Sequence, residues 1–220
     1  MGAIVSKLAF QPPSQRIASV ERMNGLLQQQ PGYEMLQTAS GVSVPLVCVM
    51  PRGVRPSDVS LCLLVSHGNA EDLGETLPFL HRLAEHVRLP VLGFDYPGYG
   101  LASACEPSEQ GCFEAAEAAY THVSRRWPGW RIVLCGRSLG SGPAVFMAEQ
   151  RQRAGGAELA GLILLSPLCS GSGLRLEPTG SAGGTRRAER CSRCGVCRSA
   201  WRLRRHRHAG RLSRAAAPPL

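Results

Sequence analysis

The stretch that most constrains this chain is a Gly-x-Ser-x-Gly motif, from Gly136 to Gly140, directly after the apolar run Ile132–Cys135. A segment compatible with a helix follows from Pro143 to Gln150. Gly and Ser alone often make only turns, so the flanking elements carry the argument. A strand that turns sharply into a helix holds the central serine, Ser138, at the tip with its hydroxyl exposed. The glycines leave room for the neighbouring strand and helix, and the first helical amides point at the serine, where negative charge would develop. The motif therefore predicts a nucleophilic serine.

Short apolar runs alternate with helical patterns through the body of the chain, which predicts an α/β fold with a mostly parallel sheet and helices on both faces. The loops after Ser66, after Asp95 and at Ser138 then meet at one sheet edge, where ligands bind in such folds. The predicted strands are Tyr33–Thr38, Val42–Met50, Ser60–Ser66, Pro90–Asp95, Ile132–Cys135 and Gly161–Leu165; the predicted helices are Asp72–Val87, Ser108–Arg126 and Pro143–Arg153.

The net positive charge of the chain arises in residues 171–220, which hold 12 Arg and 2 Glu; the whole chain has a net charge of +9, so residues 1–170 carry a net charge of −1. This segment lacks an amphipathic period, so we expect a disordered tail. Its Arg bias resembles GC-rich coding sequence, and Trp201 is its one aromatic residue, so nucleic acid is not the favoured partner. Cys191, Cys194 and Cys197 with His206 or His208 offer a Cys₃His zinc site as an alternative, but no apolar support surrounds them. We therefore predict no metal and no cofactor.

The N-terminus begins Met-Gly-x-x-x-Ser, which matches the N-myristoylation signal at Gly2. We assign residues 1–32 to an N-terminal anchoring arm, of which residues 11–32 are Gln/Pro-rich and expected to be loose. The other interpretation of the motif is a chance match in a disordered start. No secretory signal or membrane span is apparent, and the cysteines of residues 1–170 show no paired spacing. We expect a cytoplasmic protein that associates peripherally with membranes, although a single acyl chain binds only marginally and needs a second signal.

Four motifs in order resemble the α/β-hydrolase superfamily over residues 33–170: His67-Gly-Asn-Ala, Phe94-Asp-Tyr-Pro-Gly-Tyr-Gly, Gly136-Arg-Ser-Leu-Gly and Leu165-Ser-Pro-Leu-Cys-Ser-Gly. The pattern is most similar to the α/β-hydrolase domain-containing protein 17 group. Its members are membrane-associated serine hydrolases that remove palmitoyl groups from protein cysteines. The resemblance implies an acylated protein or lipid ester as substrate and a membrane surface as partner.

The resemblance also implies residue roles. Ser138 matches the nucleophile, and the backbone amides of Asn69 and Leu139 match the oxyanion donors. His67 precedes the nucleophile, whereas the base of this fold comes last in the chain, so we expect His67 to shape its loop. Asp95 matches a turn of the fold, where a turn-stabilising role is favoured over a catalytic one.

The sequence departs from the family after Ser138, because the triad needs an acid and then a histidine there. No Asp follows Asp95, and the later acids and histidines do not fit the pattern; they are Glu149, Glu158, Glu177, Glu189, His206 and His208. The strands that normally follow Ser-Pro-Leu are also missing, so we expect a fold truncated after the strand that follows the nucleophile helix. We predict a serine hydrolase for thioesters or esters that is impaired in this chain. The alternative is a non-catalytic, membrane-anchored binding protein of the same fold.

Overall fold

The computed structural model describes residues 10–13, 25–102, 104–155 and 159–168. Within these residues one six-stranded sheet carries α-helices on both faces. The strands are β1 (Tyr33–Gln37), β2 (Ser43–Val49), β3 (Leu61–Ser66), β4 (Val91–Phe94), β5 (Arg131–Arg137) and β6 (Leu159–Leu165); the helices are α1 (Leu73–Val87), α2 (Glu109–Arg126) and α3 (Ser141–Arg153).

The strand order is β1-β2-β4-β3-β5-β6. The predicted hairpin is confirmed, because β1 runs antiparallel to β2, with Tyr33 opposite Val47 and Gln37 opposite Ser43. β2 is also antiparallel to β4, whereas β4, β3, β5 and β6 are mutually parallel neighbours. The predicted α/β fold is therefore confirmed, and the carboxyl ends of these four strands lie at one edge of the sheet.

Local sequence signals explain where the first two long helices begin. The Asp72 carboxylate caps α1 by accepting the Glu75 amide at 3.0 Å, and the Ser108 hydroxyl caps α2 by accepting the Gly111 amide at 3.0 Å. A short polar side chain at this position satisfies one of the amides that a helix start leaves unpaired. Both helices consequently begin within one residue of their predicted starts.

The core has one layer on each face of the sheet. α2 and α3 cover one face, where large buried side chains include Leu64, Leu92, Tyr120, Leu134 and Met147. α1 covers the other face with Leu73, Leu77, Leu80 and Ala84, which pack on Val65 and Val91. β4 is buried at all four positions, as expected for a parallel strand with both faces covered.

The prediction of a loose arm is wrong for residues 25–32. Residues 25–28 form a helical turn, and Leu27 is fully buried in the α1 layer of the core. The Gly32 carbonyl accepts the Cys48 amide at 2.9 Å, which ties the segment to β2. A single buried leucine among glutamines gives no periodic signal, so the sequence did not reveal this docking.

We expect Leu27→Ala to lower the free energy of unfolding by about 2–5 kcal/mol, since it removes a fully buried aliphatic side chain and leaves a cavity. The matched control is Leu26→Ala, because Leu26 is 50% exposed, and its effect should stay within about 0.5 kcal/mol. Urea unfolding of the two variants measures the difference. Equal losses would contradict the docking of this segment.

β6 lies at one edge of the sheet formed by the described residues. It pairs with β5 from Ile132 opposite Leu159 to Arg137 opposite Leu165, and its Ile163 and Leu165 are about two-fifths exposed. This agrees with the predicted position of the last strand. No helix among the described parts of the chain is long and apolar enough to cross a bilayer.

Candidate active site

Ser138 lies at a sharp turn between β5 and α3, as the motif predicts. β5 ends at Arg137, a single 3₁₀ turn covers Ser138–Gly140, and α3 begins at Ser141. Ser138 has a φ of 49° and is half-buried. A non-glycine residue in this left-handed region carries strain of about 1–3 kcal/mol, and such strain recurs at functional sites. The turn therefore has the geometry of a nucleophile elbow.

The two motif glycines are required by close backbone approach. A Cβ at Gly136 would lie 2.7 Å from the Ser141 Cα and 2.8 Å from the Ala144 Cβ. A Cβ at Gly140 would overlap the carbonyl oxygens of Ser66 and His67. The elbow thus packs directly on the end of β3, and a side chain at either glycine would push these elements apart.

Ser141 joins the elbow to the loop after β6. It is fully buried, its hydroxyl donates to the Ser138 carbonyl at 2.6 Å, and it accepts the Leu168 amide at 3.1 Å. One hydroxyl therefore holds the nucleophile's own backbone and the Ser-Pro-Leu segment together. Sequence reasoning missed this role, although a serine immediately after Gly-x-Ser-x-Gly is placed to face the turn.

The loop after β3 begins beside the elbow, because Ser66 pairs with Gly136 in adjacent parallel strands. Glu71 shapes this loop by accepting the Gly68 amide at 2.6 Å through Oε1. Its Oε2 accepts Arg137 Nη1 at 3.2 Å, so the same carboxylate bridges the loop to the residue before the nucleophile. The sequence does not point to Glu71, since a glutamate two residues after Asn69 carries no local signal.

Asn69 lies in this loop, and its side chain is anchored. Asn69 Oδ1 accepts the Tyr99 hydroxyl at 2.7 Å, which connects the loops after β3 and β4. Leu139 is the second residue of the elbow turn, at the start of the helical segment. The structure therefore brings the loops of Ser138, Leu139 and Asn69 to neighbouring strand ends, where the predicted oxyanion amides would be.

His67 and Asp95 form a buried pair beneath the loops. His67 Nε2 lies 3.2 Å from Asp95 Oδ1, a close contact without the alignment of a hydrogen bond. His67 Nδ1 lies 2.8 Å from the Gly68 carbonyl oxygen, and the same Asp95 oxygen accepts the Leu73 amide at 2.7 Å. Both ring nitrogens thus face acceptors inside the protein, which supports the loop-shaping role predicted for His67 and the turn-stabilising role predicted for Asp95.

The structure offers no triad acid or base among the described residues that follow Ser138. Glu149 is the one carboxylate there, and on α3 it pairs with Arg153 Nη2 at 2.6 Å. The other candidate acids and histidines of the sequence, the three-cysteine zinc candidate and the lipidation candidate Gly2 lie outside the described residues. Elsewhere in the described ranges, no group of three or more His, Cys, Asp or Glu could hold a metal ion.

The buried cysteines do not supply an alternative nucleophile. Burial raises the pKa of Cys48 and of Cys62 to about 12, and it also raises the pKa of Cys112 and Cys135. A thiol reacts as its thiolate, and the raised pKa disfavours the thiolate of all four groups at neutral pH. Ser138, in contrast, lies at the carboxyl ends of the parallel strands, where the loops after β3, β4 and β5 converge.

A cavity of about 510 Å³ lies between β1 and α2, away from this site. Its lining includes Leu36, Ala39, Thr121 and His122, and it touches none of the loops at Ser138, Asn69 or Asp95. The cavity is therefore not part of the serine site.

Comparisons with known proteins agree with this geometry. The family model for serine aminopeptidases (S33) matches residues 57–190. The α/β hydrolase domain-containing protein aho-3 of Caenorhabditis elegans is 33% identical over 183 residues, which cover 77% of this chain and 52% of the relative. Human α/β hydrolase domain-containing protein 17B is 30% identical over 188 residues, which cover 77% of this chain and 62% of the relative. The chain thus spans about half to three-fifths of the length of these relatives.

Solved structures support the same fold. An esterase from the hyperthermophilic archaeon Pyrobaculum calidifontis matches with a TM-score of 0.52 at 17% identity, covering 76% of this chain and 57% of the esterase. The carboxylesterase EstE1, cloned from a metagenomic library, matches with a TM-score of 0.52 at 20% identity. The match covers 70% of this chain and 54% of the carboxylesterase. The strand order, the elbow and the family match lead to one conclusion. This chain belongs to the α/β-hydrolase superfamily and is of the α/β-hydrolase domain-containing protein 17 type.

Proposed function

We propose that Ser138 is the nucleophile of a site for acyl transfer to water from thioesters or esters. The observation that carries the proposal is the strained φ of 49° at Ser138, on a turn that abuts the Asn69 loop. The Ser138 oxygen would attack the acyl carbonyl, and the carbon–sulfur or carbon–oxygen bond of the leaving group would break. The serine proton passes to a base and then to the leaving group, and water releases the acid.

The oxyanion of the tetrahedral intermediate would be stabilised by the backbone amides of Asn69 and Leu139. Three features of the structure support this assignment: the adjacency of β3 and β5, the helical turn that begins at Ser138, and the anchored Asn69 side chain. Donors of this kind are worth about 3–4 kcal/mol each, because they act where charge develops.

This polypeptide supplies the nucleophile and oxyanion half of the machinery, and we propose that its hydrolysis is impaired. A serine hydroxyl is a weak nucleophile without a general base. His67 has both ring nitrogens directed at acceptors other than Ser138, namely the Gly68 carbonyl and the Asp95 carboxylate after β4, so it is not placed to take the Ser138 proton. Without triad partners, the oxyanion hole and substrate binding alone would accelerate hydrolysis about 10³–10⁴-fold over the reaction in water.

The substrate class that we propose is an acylated protein, by similarity to the depalmitoylase group, with a lipid ester as the related possibility. The membrane surface would be reached through an acyl chain on Gly2. Gln11 follows Gly2 by nine positions, so that stretch spans at most about 30 Å. Since Gln11 contacts the Asn69 loop, an anchor at Gly2 would keep the site close to the bilayer.

The anchoring proposal predicts that Gly2→Ala abolishes acylation and lowers binding to phosphatidylcholine vesicles severalfold when the chain is expressed with an N-myristoyltransferase. The reason is that a single myristoyl chain contributes a binding constant of about 10⁴ M⁻¹, which the variant loses. Co-sedimentation measures the bound fraction, and Ser138→Ala is the control that keeps the signal. Unchanged binding of Gly2→Ala would contradict the anchor.

A short-chain thioester and an S-palmitoylated peptide test the serine site. We expect a slowly formed acyl adduct on Ser138, detected by mass spectrometry, with slow turnover because deacylation needs the same base. Ser138→Ala should form no adduct. Equal turnover by Ser138→Ala would overturn the proposal. Tight binding of an uncleavable thioether analogue with no adduct would favour the alternative, a non-catalytic acyl-binding protein.

A further inference from the structure

Residues 10–13 lie against the loop after β3, and two donors from distant parts of the chain converge there on one oxygen. The Gln11 backbone amide donates to Asn69 Oδ1 at 2.8 Å across 58 residues of sequence. The Tyr99 hydroxyl donates to the same oxygen at 2.7 Å from the loop after β4. The Asn69 side chain is therefore held from two sides.

Packing contacts hold both donors in place. The Tyr99 residue is fully buried, and its ring lies 5.5 Å from the Tyr96 ring in an edge-to-face contact. Phe10, immediately before Gln11, packs against the core layer under α2 and α3. The amide that reaches Asn69 thus comes from a segment fixed by apolar contact, although Gln11 itself is exposed.

The Tyr99 hydroxyl keeps its proton at neutral pH. Burial raises its pKa, the nearby Cys112 acts in the same direction, and the hydrogen bond from the Gln11 amide acts against them. A protonated hydroxyl can donate to Asn69 while it lies within reach of Gln11. Gln11, Tyr99 and Asn69 therefore form one three-membered cluster.

We propose that residues 10–13 are a positioning segment for the Asn69 oxyanion loop. Two hydrogen bonds to Oδ1 fix the Asn69 side chain and limit rotation of the peptide that carries the adjacent amide. An oxyanion donor must be held within about 0.5 Å of its productive position, so this restraint bears on the rate. The inference rests on the proposed serine site, and it assigns to the N-terminal arm a role in the reaction.

The test compares three variants of the 220-residue chain, two of which each lack one donor and one of which is the matched control. Gln11→Pro removes the backbone N–H in a stretch outside the helices and strands that already continues as Pro12-Pro13, whereas Gln11→Ala keeps it. Tyr99→Phe removes the second donor and keeps the ring. For each variant, amide hydrogen exchange of residues 67–71 reports loop order, and the rate at which a fluorophosphonate labels Ser138 reports the oxyanion site. Unfolding midpoints show that each variant is folded.

We expect exchange of residues 67–71 to quicken about five- to tenfold in Gln11→Pro and in Tyr99→Phe, with Gln11→Ala like the parent chain. Labelling of Ser138 should slow by at least about fivefold in the same two variants. Unchanged exchange in Gln11→Pro would overturn the contact, and faster exchange with unchanged labelling would overturn the positioning role. If the parent chain is never labelled, the proposed serine chemistry fails, and exchange alone decides whether the segment restrains the loop.

Discussion

Gly140→Ala is expected to lower the free energy of unfolding by at least about 3 kcal/mol and to abolish labelling of Ser138. The added Cβ would overlap the carbonyl oxygens of Ser66 and His67, which are backbone atoms at the end of a central strand. Overpacking commonly costs about 1–3 kcal/mol when flexible side chains can yield, and here none of the overlapped atoms can. The strand and the elbow would have to separate.

The matched control for this substitution is Gly142→Ala. Gly142 lies two residues further on in α3, and a Cβ there would meet no atom within 4 Å. Alanine in place of a helical glycine should stabilise the protein by about 0.5–1 kcal/mol. Urea unfolding and fluorophosphonate labelling of both variants test the packing of the elbow on β3. A Gly140→Ala protein as stable as the parent would disprove that packing.

Asp95→Ala is expected to destabilise the fold by about 3–5 kcal/mol. The substitution removes the acceptor for the Leu73 amide at the start of α1 and leaves the buried His67 ring without its carboxylate. An unpaired buried polar group costs about 1–3 kcal/mol, and this substitution leaves two of them, the Leu73 amide and the His67 ring. Asp95→Asn should cost less, since an amide oxygen can still accept from Leu73.

Asp58, an exposed carboxylate, is the control for the destabilisation expected of Asp95→Ala. Asp58 pairs with Arg55 at 3.0 Å, but the Asp58 side chain is 48% exposed, so Asp58→Ala should change stability by no more than about 1 kcal/mol. Thermal or urea unfolding ranks the three variants. If Asp95→Ala matched Asp58→Ala, the pair beneath the loops would have no structural role.

The fold could be predicted from the sequence because its signals are local. Apolar runs end at turn residues, Asp72 and Ser108 begin helices, and the serine motif follows a strand. His67 and Asp95 lie side by side because they directly follow Ser66 and Phe94, which are opposite each other in the parallel strands β3 and β4. Parallel strands of a buried sheet leave little freedom at their ends.

The contacts that escaped prediction join residues far apart in sequence. Glu71 reaches Arg137 across 66 residues, Ser141 reaches Leu168 across 27, and Gln11 reaches Asn69 across 58. Leu27 docks on α1 without any pattern around it. Such contacts depend on the assembled tertiary structure, so the periodicity and spacing of a single sequence do not specify them.

The central claim is the proposed one, that Ser138 occupies a formed elbow and that no described residue after it acts as its general base. The most direct measurement is the pH dependence of fluorophosphonate labelling at Ser138 in the 220-residue chain. We predict slow labelling that is absent in Ser138→Ala and rises about tenfold per pH unit from pH 7 to 10, because hydroxide must remove the proton. Rapid labelling that levels off above a pKa of about 6.5–7 would reveal a histidine base and contradict the account.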